Sequence, residues 1–286
     1  MPMPVTASAI DKEIALVEWL KNRGSVLVGF SGGVDSAYLA CVALDALGPA
    51  NVLAVIGRSA SYPLEQWTRA REVADRFGVP VLELDTDEMS DPRYAANPSN
   101  RCYFCKTELW SRLLPVARER GLAVVVDGTN ADDLRGHRPG KGAAAEHGVR
   151  SPLAEIGFTK DEIRARSRER DIPTWSVPSS PCLASRLPYG TEVTAERLAT
   201  VEAAERALRA LGVTGDLRVR HFGATARVEM SLGELERWRT AEGRRAVHAA
   251  VAAAGFDAVE FDLRGFRSGS MNRPHDEPLV ETLGAA

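Results

Sequence analysis

Short, apolar, β-branched runs alternate with longer amphipathic stretches through the first part of the chain. SVLVGF, VLAVIG (52–57), PVLELD (80–85) and AVVVDG (123–128) read as strands, the first of them fully buried. Between them the apolar spacing predicts helices over Ile10 to Leu20, from SGGVDS to Leu47, from Pro63 to Phe77, and from Cys102 to Arg120. The longer loop DEMSDPRYAANPSNR precedes the last of these. Strands alternating with helices through short connections predict an α/β fold with a doubly wound parallel sheet, its ligands at the carboxyl ends of the strands.

The pattern then changes. A loop rich in Gly, Arg and His (LRGHRPGKG) leads to a helix, TKDEIRARSRER, and then to DIPTWSVPSSPCLASRLPYG, where Pro173, Pro178, Pro181 and Pro188 forbid regular structure. From Thr194 the chain reads as a helix to Leu211, strands DLRVRHFG and TARVEM, one or two helices over Leu232 to Ala254, and a strand DAVEFDLRGF. That is a smaller C-terminal α+β domain, so the expected division is 1–190, including the Cys182 loop, and 191–286. No internal repeat or low-complexity tail interrupts it.

Composition narrows the partner more than the fold. The 286 residues are 44% hydrophobic and 26% charged, which is ordinary for globular chains, and the formal net charge of −3 offers no general attraction to nucleic acid or an anionic membrane. A small molecule is the expected partner. No apolar run approaches the roughly 20 residues that span a bilayer, and MPMPVTASAIDKEI lacks a signal-peptide h-region, so the expected location is cytoplasmic. Most of the 36 basic residues are Arg, which suits phosphate contacts, although genome composition explains the bias equally well. The four cysteines are too few for a disulfide scaffold. Cys41, in the run AYLACVAL, reads as core, leaving Cys102, Cys105 and Cys182 to explain.

SGGVDS, after a strand and before a helix, is built to hold an anion. Gly32 and Gly33 let the backbone turn closely, while Ser31, Ser36 and the first N–H groups of the helix donate to phosphate oxygens. It lacks the Gly-Lys-Ser/Thr ending of a Walker loop. Asp35 would repel phosphate unless a cation intervenes, which points to Mg²⁺ between carboxylate and nucleotide. The hexapeptide resembles the pyrophosphate loop of the N-type ATP pyrophosphatases, the superfamily of GMP synthetase, NAD synthetase, asparagine synthetase and the thiouridine synthetases. The resemblance implies ATP as cosubstrate and attack of a substrate oxygen on the α-phosphorus, with pyrophosphate leaving.

SSPCLASRLPYG, the LRVR of the later strand and the closing DLRGFRSGSMN resemble the LarE family, over nearly the whole chain. LarE proteins work with the lactate racemase maturation proteins on the nickel-pincer nucleotide. The resemblance implies conversion of pyridinium-3,5-biscarboxylic acid mononucleotide to its thiocarboxylic form through an acyl-adenylate. In the sacrificial version a cysteine matching Cys182 gives up its sulfur and becomes dehydroalanine; nearby Arg186 favours its thiolate. Sacrificial members lack the two cysteines of RCYFCK, whereas here Cys102 and Cys105 open a helix, a setting that favours thiolates. Related thiouridine synthetases hold an exchangeable sulfide on a cluster iron. The expectation is therefore a [4Fe–4S] cluster on Cys102, Cys105 and Cys182. The alternatives are sacrificial transfer from Cys182, structural zinc with His137 or His147, an inert pair, and a redox pair, which is in the wrong part of the α/β pattern.

Arg58, Asp127 and Thr129, with Gly128 and Asn130, lie at strand ends where nucleotide belongs. Asp127 could join Asp35 on Mg²⁺, bind base or ribose, or simply form a turn. Arg135, His137, Arg138 and Lys141 make a basic cluster suited to phosphate or carboxylates, or a solvated loop. Arg218 and Arg220 share one strand face; the resemblance implies that they bind a phosphate of the substrate. Glu202, Glu205, Arg264 and Arg267 are weaker candidates, and His221 reads as structural. The family also implies a homo-oligomer, with a hexamer fitting, and transient contact with a sulfur donor or other nickel-cofactor proteins. Competing functions are a transfer-RNA thiolation enzyme, for which no RNA-binding segment is evident, and a non-catalytic nucleotide- or cluster-binding scaffold.

Overall fold

Four parallel strands form the first sheet: β1 (Val26–Gly29), β2 (Val52–Arg58), β3 (Val81–Asp85) and β4 (Val124–Val126), in the order β3-β2-β1-β4. The computed structural model describes residues 7–135, 140–178, 180–267, 269–272 and 279–284. Each expected strand is present, and helices cover both faces of the sheet. Val26, Val28, Ala54 and Ile56 are buried with side chains of helices Ala7–Lys21, Val34–Leu47 and Leu64–Phe77. Leu27, Val55 and Val125 are buried with Trp110 and Leu113 of helix Arg101–Glu119. Because successive strand side chains point to opposite faces, burial on both sides requires an unbroken apolar run, as in VLV of β1.

The stretch read as a loop around LRGHRPGKG holds a helix, Gly140–Glu146, because Ala143 and Ala144 bury beside Trp110; a second short helix, Pro152–Ile156, follows. Helix Lys160–Glu169 begins at a capping box, with Thr159 and Glu162 satisfying each other's backbone N–H groups.

The second sheet has the order β5-β6-β7-β8, from β5 (Leu217–Phe222), β6 (Thr225–Met230), β7 (Ala258–Asp262) and β8 (Val280–Leu283). β5 and β6 form a hairpin closed at Phe222↔Thr225. β6 and β7 are parallel, so helices Leu232–Trp238 and Ala241–Ala252 make the crossover between them. Thr194, Ser231 and Thr240 each cap the helix that follows by accepting a backbone N–H. β8 had no counterpart in the sequence reading.

The chain divides into two compact units: residues to Tyr94 with Ser99–Ser180, and Ala95–Pro98 with the chain from Pro181 onward. This differs from the division expected near Gly190, and it transfers the Cys182 loop to the second unit. The reason is local: Arg186, four residues beyond Cys182, is fastened to helix Ala195–Ala210 and to its own loop. Ala95–Pro98 is a short clip into the same unit. Its buried Asn97, with φ +54, donates through Nδ2 to the carbonyls of Pro188 (2.8 Å) and Thr191 (2.9 Å), and accepts from Gly190 N–H at 3.0 Å. No described helix is long and apolar enough to cross a membrane.

Candidate active site

The phosphate loop follows β1 and ends in helix Val34–Leu47. Gly32, at φ +70, is required twice over: the conformation disfavours any side chain, and a Cβ there would stand 2.7 Å from the Ala70 Cβ. Ser36 Oγ braces the turn, accepting from Ser31 N–H at 3.2 Å and donating to the Gly33 carbonyl at 3.1 Å. The first N–H groups of the helix lack intrahelical acceptors and carry the positive end of its dipole. Gly128 approaches so closely that a Cβ would stand 2.8 Å from Ser36 N, which brings the end of β4 against the loop.

Asp35 projects from the first helical turn and is held from two sides. Asn130 Nδ2 donates to Oδ1 at 3.1 Å, and Lys160 Nζ hydrogen-bonds Oδ2. Asn130 is itself fixed, its Oδ1 accepting from Asp132 and Asp133 N–H. Lys160 was absent from the sequence candidates. TKDE signals a helix start, and nothing in that signal points across to Asp35.

Asp127 is buried, and its carboxylate accepts from Thr129 N–H (3.1 Å), Thr129 Oγ1 (2.9 Å) and Ser151 Oγ (2.7 Å). Asp127 and Thr129 in this arrangement hold the turn after β4. Arg58 donates to Glu83 at 3.0 Å and lies over the Trp67 ring at 5.6 Å. Arg138 and His137 lie outside the described residues. Cys41 is buried in the core; burial, with a smaller push from Asp45, raises its thiol to about 12.

Cys102 stands in the first turn of helix Arg101–Glu119 and Cys105 at the start of the second, Cys102 exposed and Cys105 half-buried. Their i, i+3 spacing puts them on neighbouring positions of one helix surface. Both belong to the first unit, and Cys182 to the second. Among the described residues no three His, Cys, Asp or Glu side chains gather as a metal-holding group.

In the second unit three arginines are nearly sealed from solvent: Arg186 at 1%, Arg218 at 4% and Arg220 at 5% exposure. Arg186 meets Glu205 through two parallel hydrogen bonds of 2.9 Å. Its remaining amino group donates to the carbonyls of Pro181 (2.5 Å) and Cys182 (3.1 Å), so the half-buried Cys182 is fixed by the same guanidinium. Arg220 donates to the Ser185 carbonyl (3.0 Å), to Glu229 (2.7 Å) and to Ser270 Oγ (3.1 Å). Arg220 Nε is buried with no partner among the described residues. Arg218 lies over the Phe266 ring at 5.0 Å; burial first, then the nearby Arg186 charge, lowers its guanidinium to about 10. Glu205 and Glu229 are salt-bridged to Arg186 and Arg220 respectively, and Arg218 lies near the charges of Arg186, Glu205 and Arg220. Such a site gains from a phosphate, which offers several acceptor oxygens to fork-shaped donors.

Glu205 was a weak sequence candidate and proves central, accepting also from Val219 N–H at 2.9 Å. Glu229 stands in no motif, and Ser270 lies within DLRGFRSGSMN, where nothing local points across to Arg220. Arg267 reaches Asp262 at 3.2 Å. His221 is buried edge-on to Phe256, and desolvation lowers its pKa, as suits a neutral core imidazole.

Comparison with known proteins gives the same picture. Residues 13–113 match the NAD synthase family. Pyridinium-3,5-bisthiocarboxylic acid mononucleotide synthase of Lactiplantibacillus plantarum is 37% identical over 266 residues, covering 93% of this chain and 95% of its own. An uncharacterized Synechocystis protein is 42% identical over 247 residues, 86% of this chain and 91% of its own. The NH3-dependent NAD⁺ synthetase of Chlorobaculum tepidum is 34% identical over 92 residues, 30% of this chain and 33% of its own.

Proposed function

The chain belongs to the LarE family of ATP-using sulfur transferases, and from that premise we propose that it converts pyridinium-3,5-biscarboxylic acid mononucleotide to the bisthiocarboxylic form. The observation that carries the reading is the fastening of Cys182. The guanidinium that holds its carbonyl belongs to a cluster of three buried arginines, fork-shaped donors suited to phosphate oxygens, so the sulfur-bearing loop and a site fit for the substrate phosphate share one scaffold.

A substrate carboxylate oxygen attacks the α-phosphorus of ATP, and the bond to pyrophosphate breaks. The loop from Ser31 to Ser36 receives the departing negative charge through backbone N–H groups and the helix N-terminus. Asp35 offers a hard oxygen ligand, partly exposed and already oriented by Asn130, which fits Mg²⁺; the ion, when bound, neutralises phosphate charge. Lys160 can pass from Asp35 to a phosphate oxygen as the ion arrives. Sulfur then attacks the activated acyl carbon, and AMP leaves with the former carboxylate oxygen.

Cys102, Cys105 and Cys182 carry thiol sulfurs, the soft donors an iron–sulfur cluster requires. We propose that these three cysteines would hold a [4Fe–4S] cluster, which would supply exchangeable sulfur. A second reading is supported by Cys182 itself, a half-buried thiol on a loop whose backbone Arg186 fixes. In it, Cys182 Sγ forms the thioester, loss of the Cα proton breaks Cβ–Sγ, and the thiocarboxylate departs, leaving dehydroalanine.

Anaerobic reconstitution with iron and sulfide, followed by turnover with ATP and the biscarboxylic mononucleotide, tests both. Substrate-dependent pyrophosphate release with repeated thiocarboxylate formation and an unchanged Cys182 supports the cluster. One sulfur per chain with a mass loss of hydrogen sulfide from Cys182 supports the sacrifice. Absence of substrate-dependent pyrophosphate overturns the function itself.

A further inference from the structure

The carbonyl of Ser31 is clamped by two side chains from outside the phosphate loop. Gln66 Nε2 donates to it at 2.7 Å and the Tyr62 hydroxyl at 3.0 Å. Gln66 is buried, at 8% exposure, and belongs to helix Leu64–Phe77, whose Ala70 also closes on Gly32. In a trans peptide the C=O and the next N–H point in opposite directions, and the described chain has no cis peptide. Holding the Ser31 carbonyl toward helix Leu64–Phe77 therefore turns the Gly32 N–H away from that helix. Gly32 is a buried residue and its N–H makes no hydrogen bond among the described residues, so it stands available as a donor to a ligand oxygen.

The clamp is anchored in turn. Tyr62 closes a turn through its N–H to the Ser59 carbonyl at 3.1 Å. That turn is tied to the buried carboxylate of Glu88, which accepts from Ser59 Oγ (2.6 Å), Ser61 Oγ (2.8 Å) and Thr86 Oγ1 (2.9 Å). No side chain in this chain of contacts needs to meet the nucleotide, yet it sets the direction of one donor that does.

We propose that Gln66 and Tyr62 are positioning residues for ATP, fixing the Ser31–Gly32 peptide so that the Gly32 N–H is aimed at a phosphate oxygen of the pyrophosphate moiety. The inference rests on the loop being the phosphate site, as in the function proposed above. It separates ATP affinity from mononucleotide affinity, because the clamp touches only one of the two binding regions.

The test uses the full chain with Gln66→Met, which keeps length but deletes the donor, with Tyr62→Phe, and with both. Binding of Mg²⁺-pyrophosphate by calorimetry and steady-state KM for each substrate are the readouts. Each single variant is expected to weaken pyrophosphate binding and raise the KM for ATP by about fivefold to tenfold, and the pair by more, with the KM for mononucleotide unchanged. Equal effects on both KM values, or none on ATP, overturn the proposal. If the unaltered protein binds no pyrophosphate, the phosphate site itself is misassigned. Tyr62→Phe removes a single hydroxyl and keeps the test interpretable if the double variant fails to fold.

Discussion

Arg186 and Glu205 face each other fork to fork, two hydrogen bonds of 2.9 Å joining the end of the cysteine loop to helix Ala195–Ala210. With Arg186 at 1% side-chain exposure and Glu205 at 17%, water can do little to replace a lost partner. Glu205→Ala leaves the guanidinium buried and uncompensated, for which a loss of about 3–5 kcal/mol is expected. Urea unfolding of the full chain measures it, and Arg206→Ala, at an exposed position of the same helix, serves as the comparison, with a loss below about 1 kcal/mol.

Lys160 and Asp35 are predicted to separate in their kinetic effects. Asp35→Asn keeps shape but removes the ionic oxygen that suits Mg²⁺, and should lower pyrophosphate release by at least about 100-fold. Lys160→Met should raise the KM for ATP by about tenfold, the worth of one charge-assisted phosphate contact. Titrating Mg²⁺ at fixed ATP distinguishes them: excess metal should not rescue Asp35→Asn.

Cys102, Cys105 and Cys182 are predicted to act after adenylylation. Cys182→Ser should retain substrate-dependent pyrophosphate release while forming no thiocarboxylate. Cys102→Ser and Cys105→Ser should each abolish iron uptake on anaerobic reconstitution, with the product falling to at most one sulfur per chain. Iron counting and product mass spectrometry read both results.

Acid stability should carry the signature of Glu13. Burial raises its pKa, but hydrogen bonds from Arg166, Arg170 and Tyr38 overcome that and bring it from 4.5 down to about 2. A depressed carboxylate stabilises the fold above its unfolded pKa, so the contribution, about 3 kcal/mol, is present above 4.5 and lost as pH falls toward about 2. Glu13→Gln should be less stable near neutrality and show a shallower decline. Denaturation midpoints at about pH 6 and about pH 3 for the two proteins test the slope.

The first sheet was legible because each strand is a short apolar run and β1 leads directly into a glycine turn, signals contained within a few neighbouring residues. The phosphate loop was legible for the same reason. Lys160, Gln66, Tyr62 and Glu88 were not, because each acts on a partner in another element, and no local spacing encodes that pairing. The prolines around Cys182 announced irregular backbone but not its destination. That depends on Arg186 finding Glu205 and on Arg220 finding the Ser185 carbonyl. β8, with only VETL to mark it, is defined by its ladder with β7 rather than by any pattern of its own.

The clip at Ala95–Pro98 also imposes an order on synthesis. While the ribosome is still making the first unit, Asn97 has emerged but the carbonyls of Pro188 and Thr191 have not. The first unit can bury its sheet early, whereas the clip must wait until residues beyond Val193, whose N–H pairs with the Ala95 carbonyl, have been made. The nascent chain thus carries an unfinished joint just ahead of Cys102, closed only when the segment bearing Cys182 has left the exit tunnel.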